Sequence, residues 1–210
     1  MISHILFDLD NTLYPASNGF DQKTVSLMIQ FAAEHIGLSL DQTIAFRAEG
    51  FKKYGTTLEW LRQEHGPVDV EAYYSRVHPA GEEIILDPDP ALRELLSSDP
   101  RPKSIFTNSP LEHAERVIKR LGIGDLFHAI YDIRFFGFRG KPAPEAYIKV
   151  LDILHEEAES VAFFDDSPRA VSAFSAMGGH AFLVDETGEH TGSGLPSIPS
   201  IHHYQTILRS

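Results

Sequence analysis

The chain has 210 residues, of which 42% are hydrophobic and 23% are charged, with no cysteine and a formal net charge of −12. This composition is typical of a globular protein that is long enough to bury a core, and it excludes disulfides and thiolate metal sites. The acidic balance disfavours binding to nucleic-acid polymers and anionic membranes. We expect a cytoplasmic protein without a membrane helix or a signal peptide.

Five short apolar segments predict β-strands, and amphipathic segments of helix length separate the later ones. This alternation predicts an α/β fold with a Rossmann-like parallel sheet core. The Gly-, Ser- and Pro-rich segment Thr187–Ser200 is interpreted as a surface loop. The predicted strands are Ser3–Leu9, Lys103–Thr107, Ala129–Ile133, Val161–Asp165 and His180–Val184.

The segment between the first two strands has helical periodicity and contains no convincing strand. Asp41 and Asp69 are plausible N-caps within it. The predicted helices are Val25–Ile36, Asp41–Tyr54, Thr57–Glu64 and Glu71–Val77. The expected division is a core of residues 1–14 and 87–210 with a helical insert of residues 15–86.

Two predicted strands end in pairs of aspartates. Asp8 and Asp10 follow the first strand at a spacing that places both on one side of it, and Asp165 and Asp166 follow the fourth. The carboxyl ends of parallel strands converge at the topological switch point, and crowded carboxylates repel unless a cation lies among them. Oxygen-only ligands favour Mg²⁺ over Zn²⁺, so we expect a magnesium site here.

Groups that bind anions follow the other strands. Thr107 and Asn108 end the second strand, and Pro110 is suited to the first position of the helix after it. Hydroxyl and N–H groups at a helix N-terminus hold anions, and Lys141 adds a positive charge after the third strand. Each group alone also suits a cap, a turn or a surface lysine. Their order and common position after strands predict a pocket for a phosphate dianion.

These motifs, in this order, resemble those of the haloacid dehalogenase superfamily: DxDxT, then S/T, then K, then DD. The resemblance runs from Ile5 to about Val184, and the helical insert occupies the position of that family's α-helical cap domain. It implies that Asp8 is a nucleophile that forms an aspartyl-phosphate. It also implies that Asp10 acts as a general acid and then as a base.

The resemblance further implies roles for the other motif residues. Mg²⁺ would be bound by Asp8, by the backbone carbonyl of Asp10 and by Asp165, with Asp166 orienting the metal site. The remaining implied roles belong to Thr107 and Asn108, which would bind phosphate oxygens, and to Lys141, which would offset the charge of nucleophile and phosphate.

A choice between reactions follows from Asp10. Dehalogenating members need no acid two residues after the nucleophile, because a halide leaves unprotonated. Asp10 with Asp165 and Asp166 therefore indicates a Mg²⁺-dependent phosphatase that hydrolyses small phosphomonoesters. A sugar phosphomutase of the same fold and a non-catalytic protein that binds a phosphate ligand remain alternatives. The oligomeric state is open.

Within the superfamily, several stretches resemble pyrimidine 5′-nucleotidases. The cap residues Tyr54, Thr56 and Thr57 would then contact a nucleobase, although a turn between helices is the simpler interpretation of each. Ala170 departs from that group, which usually carries an asparagine at this position, and we expect a modified affinity for Mg²⁺. The resembling stretches are Asp8–Pro15, Tyr54–Leu58, Val77-His78 and His113–Val117.

Overall fold

The computed structural model describes residues 1–209 and contains a six-stranded sheet whose neighbouring strands are all parallel. The strand order is β3-β2-β1-β4-β5-β6, so the order reverses beside β1. This parallel sheet confirms the α/β class predicted from the sequence. The strands are β1 His4–Phe7, β2 Lys103–Phe106, β3 Ala129–Tyr131, β4 Val161–Asp165, β5 His180–Val184 and β6 Ser197–Ile198.

The central strand β1 is buried along its whole length, as expected for a strand of a parallel sheet that is covered on both faces. Phe7 is in register with Ile105 of β2 and with Phe164 of β4. The N–H of Asp8 continues this pairing by donating to the carbonyl of Phe164 at 2.8 Å. The three strands therefore end side by side, and Asp8 and Asp165 leave the sheet at the same edge.

Four helices follow β1 and form the inserted cap. They enclose an apolar cluster that includes Trp60 and Tyr73, both 1% exposed, and that is completed by Ile133 from the core. The small apolar core of the cap therefore extends to the segment after β3. The exact bounds of 15–86 stay a prediction. The cap helices are α1 Phe20–Ile36, α2 Leu40–Tyr54, α3 Thr57–Glu64 and α4 Val70–Val77.

Of the two N-cap residues predicted in the inserted domain, the structure confirms one. Asp69 caps α4 as predicted, because its side chain accepts a hydrogen bond from the N–H of Ala72 at 3.0 Å. The prediction for Asp41 is wrong, because Ser39 caps α2 and forms a reciprocal capping box with Gln42. Asp41 lies in the first turn instead, where a carboxylate interacts favourably with the helix dipole.

The core helices cover both faces of the sheet. Helices α5, α6 and α9 contribute to the cluster that contains Ile5 and Phe7, and α7 and α8 to the cluster that contains Leu6. This separation follows from the alternation of side chains along a strand. The core helices are α5 Pro90–Ser98, α6 Leu111–Leu121, α7 Pro144–Leu154, α8 Pro168–Ala176 and α9 Tyr204–Ile207.

Two further details correct the sequence predictions. The segment interpreted as a loop contains β6, a two-residue edge strand paired with β5, which is too short for a recognisable apolar pattern. Pro110 is the N-cap of α6, with an extended ψ of 155°, and the helix begins at Leu111. Among the described residues, no helix is both long enough and apolar enough to cross a membrane.

Candidate active site

The ammonium group of Lys141 lies between two carboxylates from different strands. Its Nζ is 2.7 Å from Oδ1 of Asp8 and 2.5 Å from Oδ2 of Asp165. The exposed fractions of these side chains are only 5%, 10% and 2%, respectively. One buried cation cannot neutralise two buried anions, so full ionisation of both carboxylates leaves an excess of negative charge that favours a further cation.

A third carboxylate increases this excess of negative charge. Burial raises the pKa of Asp8 well above its usual value, with Lys141 opposing the shift and neighbouring carboxylates reinforcing it. Burial and the charge of Asp165 likewise raise the pKa of Asp166 to about 7. Carboxylate oxygens of Asp8, Asp165 and Asp166 lie within 4.8 Å of one another. Three hard oxygen donors at this spacing fit a divalent cation.

Two N–H donors, one of them a side-chain amide, reach this acidic group. Nδ2 of Asn11 donates to Oδ2 of Asp166 at 3.2 Å, and the backbone N–H of Ser167 donates to Oδ1 of Asp165 at 2.8 Å. Asn11 adopts a positive φ of 57°, a conformation that asparagine tolerates better than most residues. The loop after β1 therefore supplies an amide donor to Asp166.

Asp10 accepts hydrogen bonds from three side chains. Tyr14 and His113 lie at its Oδ1, at 2.6 and 2.8 Å, and Ser109 donates to its Oδ2 at 2.5 Å. Burial opposes ionisation, but His113, Ser109 and Tyr14 together lower the pKa of Asp10 below its usual value. Asp10 is therefore an ionised carboxylate in this arrangement. The sequence alone gives no sign of the contributions of Tyr14 and Ser109, which lie inside motifs but have no assigned role there.

His113 bridges two carboxylates. Its Nδ1 is 2.8 Å from Oε1 of Glu82, on the side opposite to Asp10. Burial disfavours the charged ring, but the two carboxylates raise the pKa of His113 to about 9. His78 lies beside this pair, with its Nδ1 3.3 Å from Oε1 of Glu82. Sequence reasoning missed Glu82, because nothing in its local pattern separates it from an exposed glutamate.

The residues predicted to bind phosphate lie at the same sheet edge. Thr107 is buried, and its Oγ1 accepts from the N–H of Ser109 at 3.0 Å. The side chain of Asn108 instead binds the backbone of Lys141 through two hydrogen bonds of 2.8 Å. A Cβ at Gly140 would lie 2.0 Å from Oδ1 of Asn108, so the close approach of these two loops requires glycine.

A cavity of about 400 Å³ extends from these groups to the cap. Its cap side is partly apolar, with Val25, Met28 and Tyr73 in the lining, and Arg47 is a cation among them. Nε of Arg47 donates to Oγ1 of Thr57 at 2.8 Å. The cavity thus joins an anion-binding end to a mixed aromatic and polar end.

The three cap residues predicted to contact substrate have different surroundings. Thr56 and Thr57 line the cavity, although Thr56 is also the N-cap of α3. Tyr54 lies in a separate surface depression beside Lys53, and its hydroxyl donates to Glu64 at 2.9 Å. The structure therefore brings two of the three to the cavity.

The loop between α2 and α3 lies directly against the loop that carries Lys141. Gly55 has a φ of 86°, and a Cβ there would lie 3.0 Å from Cδ of Pro142 and 3.2 Å from the carbonyl oxygen of Lys141. Arg169 reinforces the contact by donating to the carbonyls of Phe51 and Lys52 at 2.9 and 2.7 Å. The cap is thereby held over the sheet edge.

Comparisons with known proteins agree with this architecture. A family model described as haloacid dehalogenase-like hydrolase matches residues 2–178. The fold is also similar to a crystal structure of a HAD phosphatase from Thermococcus onnurineus, with a TM-score of 0.66 and 17% identity over 99% of this chain and 98% of that one.

Two curated proteins show sequence similarity. Phosphate metabolism protein 8 of Saccharomyces cerevisiae is 29% identical over 205 residues, which is 90% of this chain and 64% of the yeast protein. A phosphorylated carbohydrates phosphatase of Thermotoga maritima is 31% identical over 118 residues, or 52% of this chain and 53% of that protein. The chain thus spans less than two thirds of the length of either relative.

Proposed function

The chain belongs to the haloacid dehalogenase-like hydrolase family, and we propose that it is a Mg²⁺-dependent phosphatase that hydrolyses small phosphomonoesters. The observation that carries this proposal is the buried contact of Lys141 with both Asp8 and Asp165 beside a third carboxylate. The proposal is supported by two relatives whose names refer to phosphate metabolism and to a phosphatase.

Asp8 is the proposed nucleophile. One of its carboxylate oxygens forms a bond to phosphorus as the bond from phosphorus to the ester oxygen breaks, which gives an aspartyl-phosphate on Asp8. Lys141 holds the attacking carboxylate at 2.7 Å and offsets the charge that accumulates where the phosphate binds. Thr107 and the backbone N–H of Asn108 are the proposed donors to phosphate oxygens.

Asp10 is the proposed proton donor and acceptor. Because Asp10 is ionised in the structure, it must first take up a proton from solvent. It gives this proton to the departing ester oxygen and then takes one from the water that attacks the aspartyl-phosphate. The second step regenerates Asp8 and releases phosphate. A positioned acid accelerates a reaction by a factor of about 10²–10⁴, which is far less than the total rate enhancement of phosphatases. The nucleophile and the fixed positive charges must supply the remainder.

The residues proposed to hold Mg²⁺ are Asp8, Asp165 and Asp166 through their carboxylates and Asp10 through its carbonyl. When bound, Mg²⁺ supplies positive charge to the phosphate oxygens that gain negative charge in the transition state. The excess of buried negative charge in this group and the raised pKa of Asp166 support such a site.

We further propose a pyrimidine nucleoside monophosphate as the substrate. The cap end of the cavity combines aromatic and apolar walls with Arg47 and Thr57, which suits a flat leaving group that carries hydrogen-bond acceptors. A composition without cysteine and with a charge of −12 supports a cytoplasmic location and a small-molecule substrate rather than a nucleic-acid polymer.

The test is phosphate release by the purified protein with Mg²⁺ from p-nitrophenyl phosphate, nucleoside monophosphates and sugar phosphates. We expect hydrolysis that requires Mg²⁺, that is fastest for pyrimidine nucleotides, and that disappears in Asp8→Asn. Absence of phosphate release from every compound would contradict the phosphatase. Hydrolysis with a preference for sugar phosphates would contradict only the nucleotidase assignment. An isomerised sugar phosphate as product would indicate a phosphomutase.

A further inference from the structure

A buried chain of hydrogen bonds connects Asp10 to the segment that leaves the cap. Nε2 of His113 lies 2.8 Å from Oδ1 of Asp10, and Nδ1 lies 2.8 Å from Oε1 of Glu82. His113 is 1% exposed and Glu82 is 6% exposed. The proposed reaction gives Asp10 a role, but it assigns none to the two residues behind it.

Glu82 is buried although burying a carboxylate costs free energy that burying an apolar side chain would not. This cost suggests a specific role for its carboxylate. Glu82 occupies a short 3-10 turn after α4, whereas His113 lies in α6 of the core. The hydrogen bond with Glu82 fixes Nδ1 of the His113 ring, the nitrogen that does not face Asp10. The ring therefore cannot rotate about χ2 without losing a hydrogen bond at each end.

The fixed ring determines the orientation of the Asp10 carboxylate. His113 and the hydroxyl of Tyr14 both meet Oδ1, and the hydroxyl of Ser109 meets Oδ2. Tyr14 and Ser109 each offer a single hydroxyl donor, and the Ser109 hydroxyl can turn about its C–O bond. Among the hydrogen bonds of residues 1–209, His113 is the donor to Asp10 whose side chain also binds a second carboxylate, so it sets the direction of the Asp10 carboxylate most firmly.

We propose that His113, held by Glu82, is a positioning residue that aligns Asp10 with the leaving oxygen of the substrate. This inference rests on the proposed phosphatase function. Asp10 first takes up a proton from solvent. As the bond from Asp8 to phosphorus forms and the ester bond breaks, this proton passes from Asp10 to the departing oxygen, which leaves as an alcohol. The carboxylate that remains on Asp10 is then stabilised by the N–H of His113.

The proposal predicts a dependence on the leaving group. A nitrophenolate ion departs readily without a proton, whereas an alkoxide needs one, because an aliphatic alcohol is a far weaker acid than nitrophenol. A defect in positioning the acid must therefore slow the hydrolysis of alkyl phosphates more than that of p-nitrophenyl phosphate. General damage to the fold lowers both rates by the same factor.

The experiment measures kcat/KM, which reports the steps up to formation of the aspartyl-phosphate, for p-nitrophenyl phosphate and glycerol 2-phosphate at one pH with Mg²⁺. In His113→Gln we expect the value for glycerol 2-phosphate to fall at least about tenfold more than that for p-nitrophenyl phosphate, within the range of a positioned acid. Glu82→Gln keeps an acceptor oxygen but loses its charge, so we expect the same pattern with a smaller amplitude.

His4→Gln is the matched control, because His4 is also a buried histidine and bonds Ser104 at 3.1 Å in the body of the sheet. We expect it to leave the ratio between the two substrates unchanged. Glu82→Gln, which does not touch Asp10, carries the test if His113→Gln fails to fold.

The experiment distinguishes failure of the positioning role from failure of the proposed phosphatase function. An equal loss on both substrates in folded His113→Gln or Glu82→Gln overturns the positioning role while leaving the phosphatase in place. A wild-type protein that hydrolyses neither substrate removes the proposed function, and the positioning role with it.

Discussion

Asn108 and Lys141 bind each other through two hydrogen bonds of 2.8 Å. Oδ1 of Asn108 accepts from the N–H of Lys141, and its Nδ2 donates to the carbonyl of Lys141. The pair joins the loop after β2 to the loop before α7 and so fixes the backbone from which the Lys141 side chain extends. The position of the Lys141 ammonium group between the two carboxylates therefore depends on an amide from another strand.

We expect Asn108→Ala to reduce both catalysis and stability. Two backbone groups of Lys141 lose their partner, which costs about 1–3 kcal/mol of unfolding free energy for each buried group left unsatisfied. The backbone from which the Lys141 side chain extends is then no longer held in place. Urea unfolding and kcat on p-nitrophenyl phosphate measure the two effects. Asn18→Ala is the control, because it removes only a local hydrogen bond to the N–H of Phe20. An unchanged kcat in Asn108→Ala would contradict this role.

We expect Mg²⁺ to stabilise the wild-type protein but not Asp165→Asn. A ligand present at a hundredfold excess over its Kd adds about 2.7 kcal/mol to the unfolding free energy, whereas the variant lacks one carboxylate of the metal group. Without metal, the variant should be no less stable, since a repulsive buried charge has been removed. Thermal unfolding with and without Mg²⁺ measures both.

Asp125→Asn is a suitable control for the metal experiment, because it changes an exposed carboxylate that pairs with Arg93. The same Mg²⁺ shift in Asp165→Asn as in the wild type would place the ion elsewhere.

The protein should lose stability in acid partly through His4. Burial lowers the pKa of His4 from 6.5 to about 4, so the unfolded chain binds this proton more readily than the folded protein does. Stability from His4 is therefore complete above pH 6.5 and is lost as the pH falls towards 4. Allowing for solvent screening, the loss is about 2 kcal/mol.

Urea unfolding of the wild type and His4→Gln at pH 7, 5.5 and 4 tests this dependence. We expect the difference between their unfolding free energies to change with pH in favour of the variant in acid. A difference that stays constant over this range would show that His4 titrates normally in the folded protein.

We expect Arg47→Met to impair the recognition of nucleotides specifically. Arg47 lies at the cap end of the cavity, with its guanidinium over the ring of Phe51 and its Nε bonded to Thr57. Loss of a hydrogen bond to a charged group costs about 1.5–3 kcal/mol, so KM for uridine monophosphate should rise by about tenfold or more with a nearly unchanged kcat.

Arg62→Met is the matched control for this prediction, because Arg62 is another cap arginine and lies over the ring of Phe138. A similar rise in KM in both variants would indicate general disturbance of the cap. An unchanged KM in Arg47→Met would remove Arg47 from substrate recognition.

The residues of the metal group could be found from the sequence for a simple reason. Asp8 and Asp165 each follow a short apolar segment, and a parallel sheet brings the carboxyl ends of its strands to one edge. Local order along the chain thus implied proximity in space. The same reasoning failed for Asp41, where the reciprocal Ser39–Gln42 pair offers a better cap, and for β6, whose two residues pair at the sheet edge.

The Glu82–His113 pair behind Asp10 could not be found in this way. Glu82 and His113 are far apart in sequence, and they meet only because the segment leaving the cap packs against α6. Arg47 likewise has no local feature that distinguishes it from an exposed helical arginine. No periodicity or motif spacing encodes such contacts, because they depend on how two helical layers are placed relative to each other.

The sequence by itself determined the parallel sheet, the helical insert and the order of the acidic and basic motifs, because strand periodicity and strand ends are local properties of the chain. Only the tertiary structure decided which side chains support them: Asn108 on Lys141, Asn11 on Asp166, and Glu82 through His113 on Asp10. Such contacts join segments that lie far apart along the chain. Their hydrogen bonds depend on interatomic distances to within a few tenths of an ångström. These distances are set by the packing of the folded chain and cannot be read from the order of its residues.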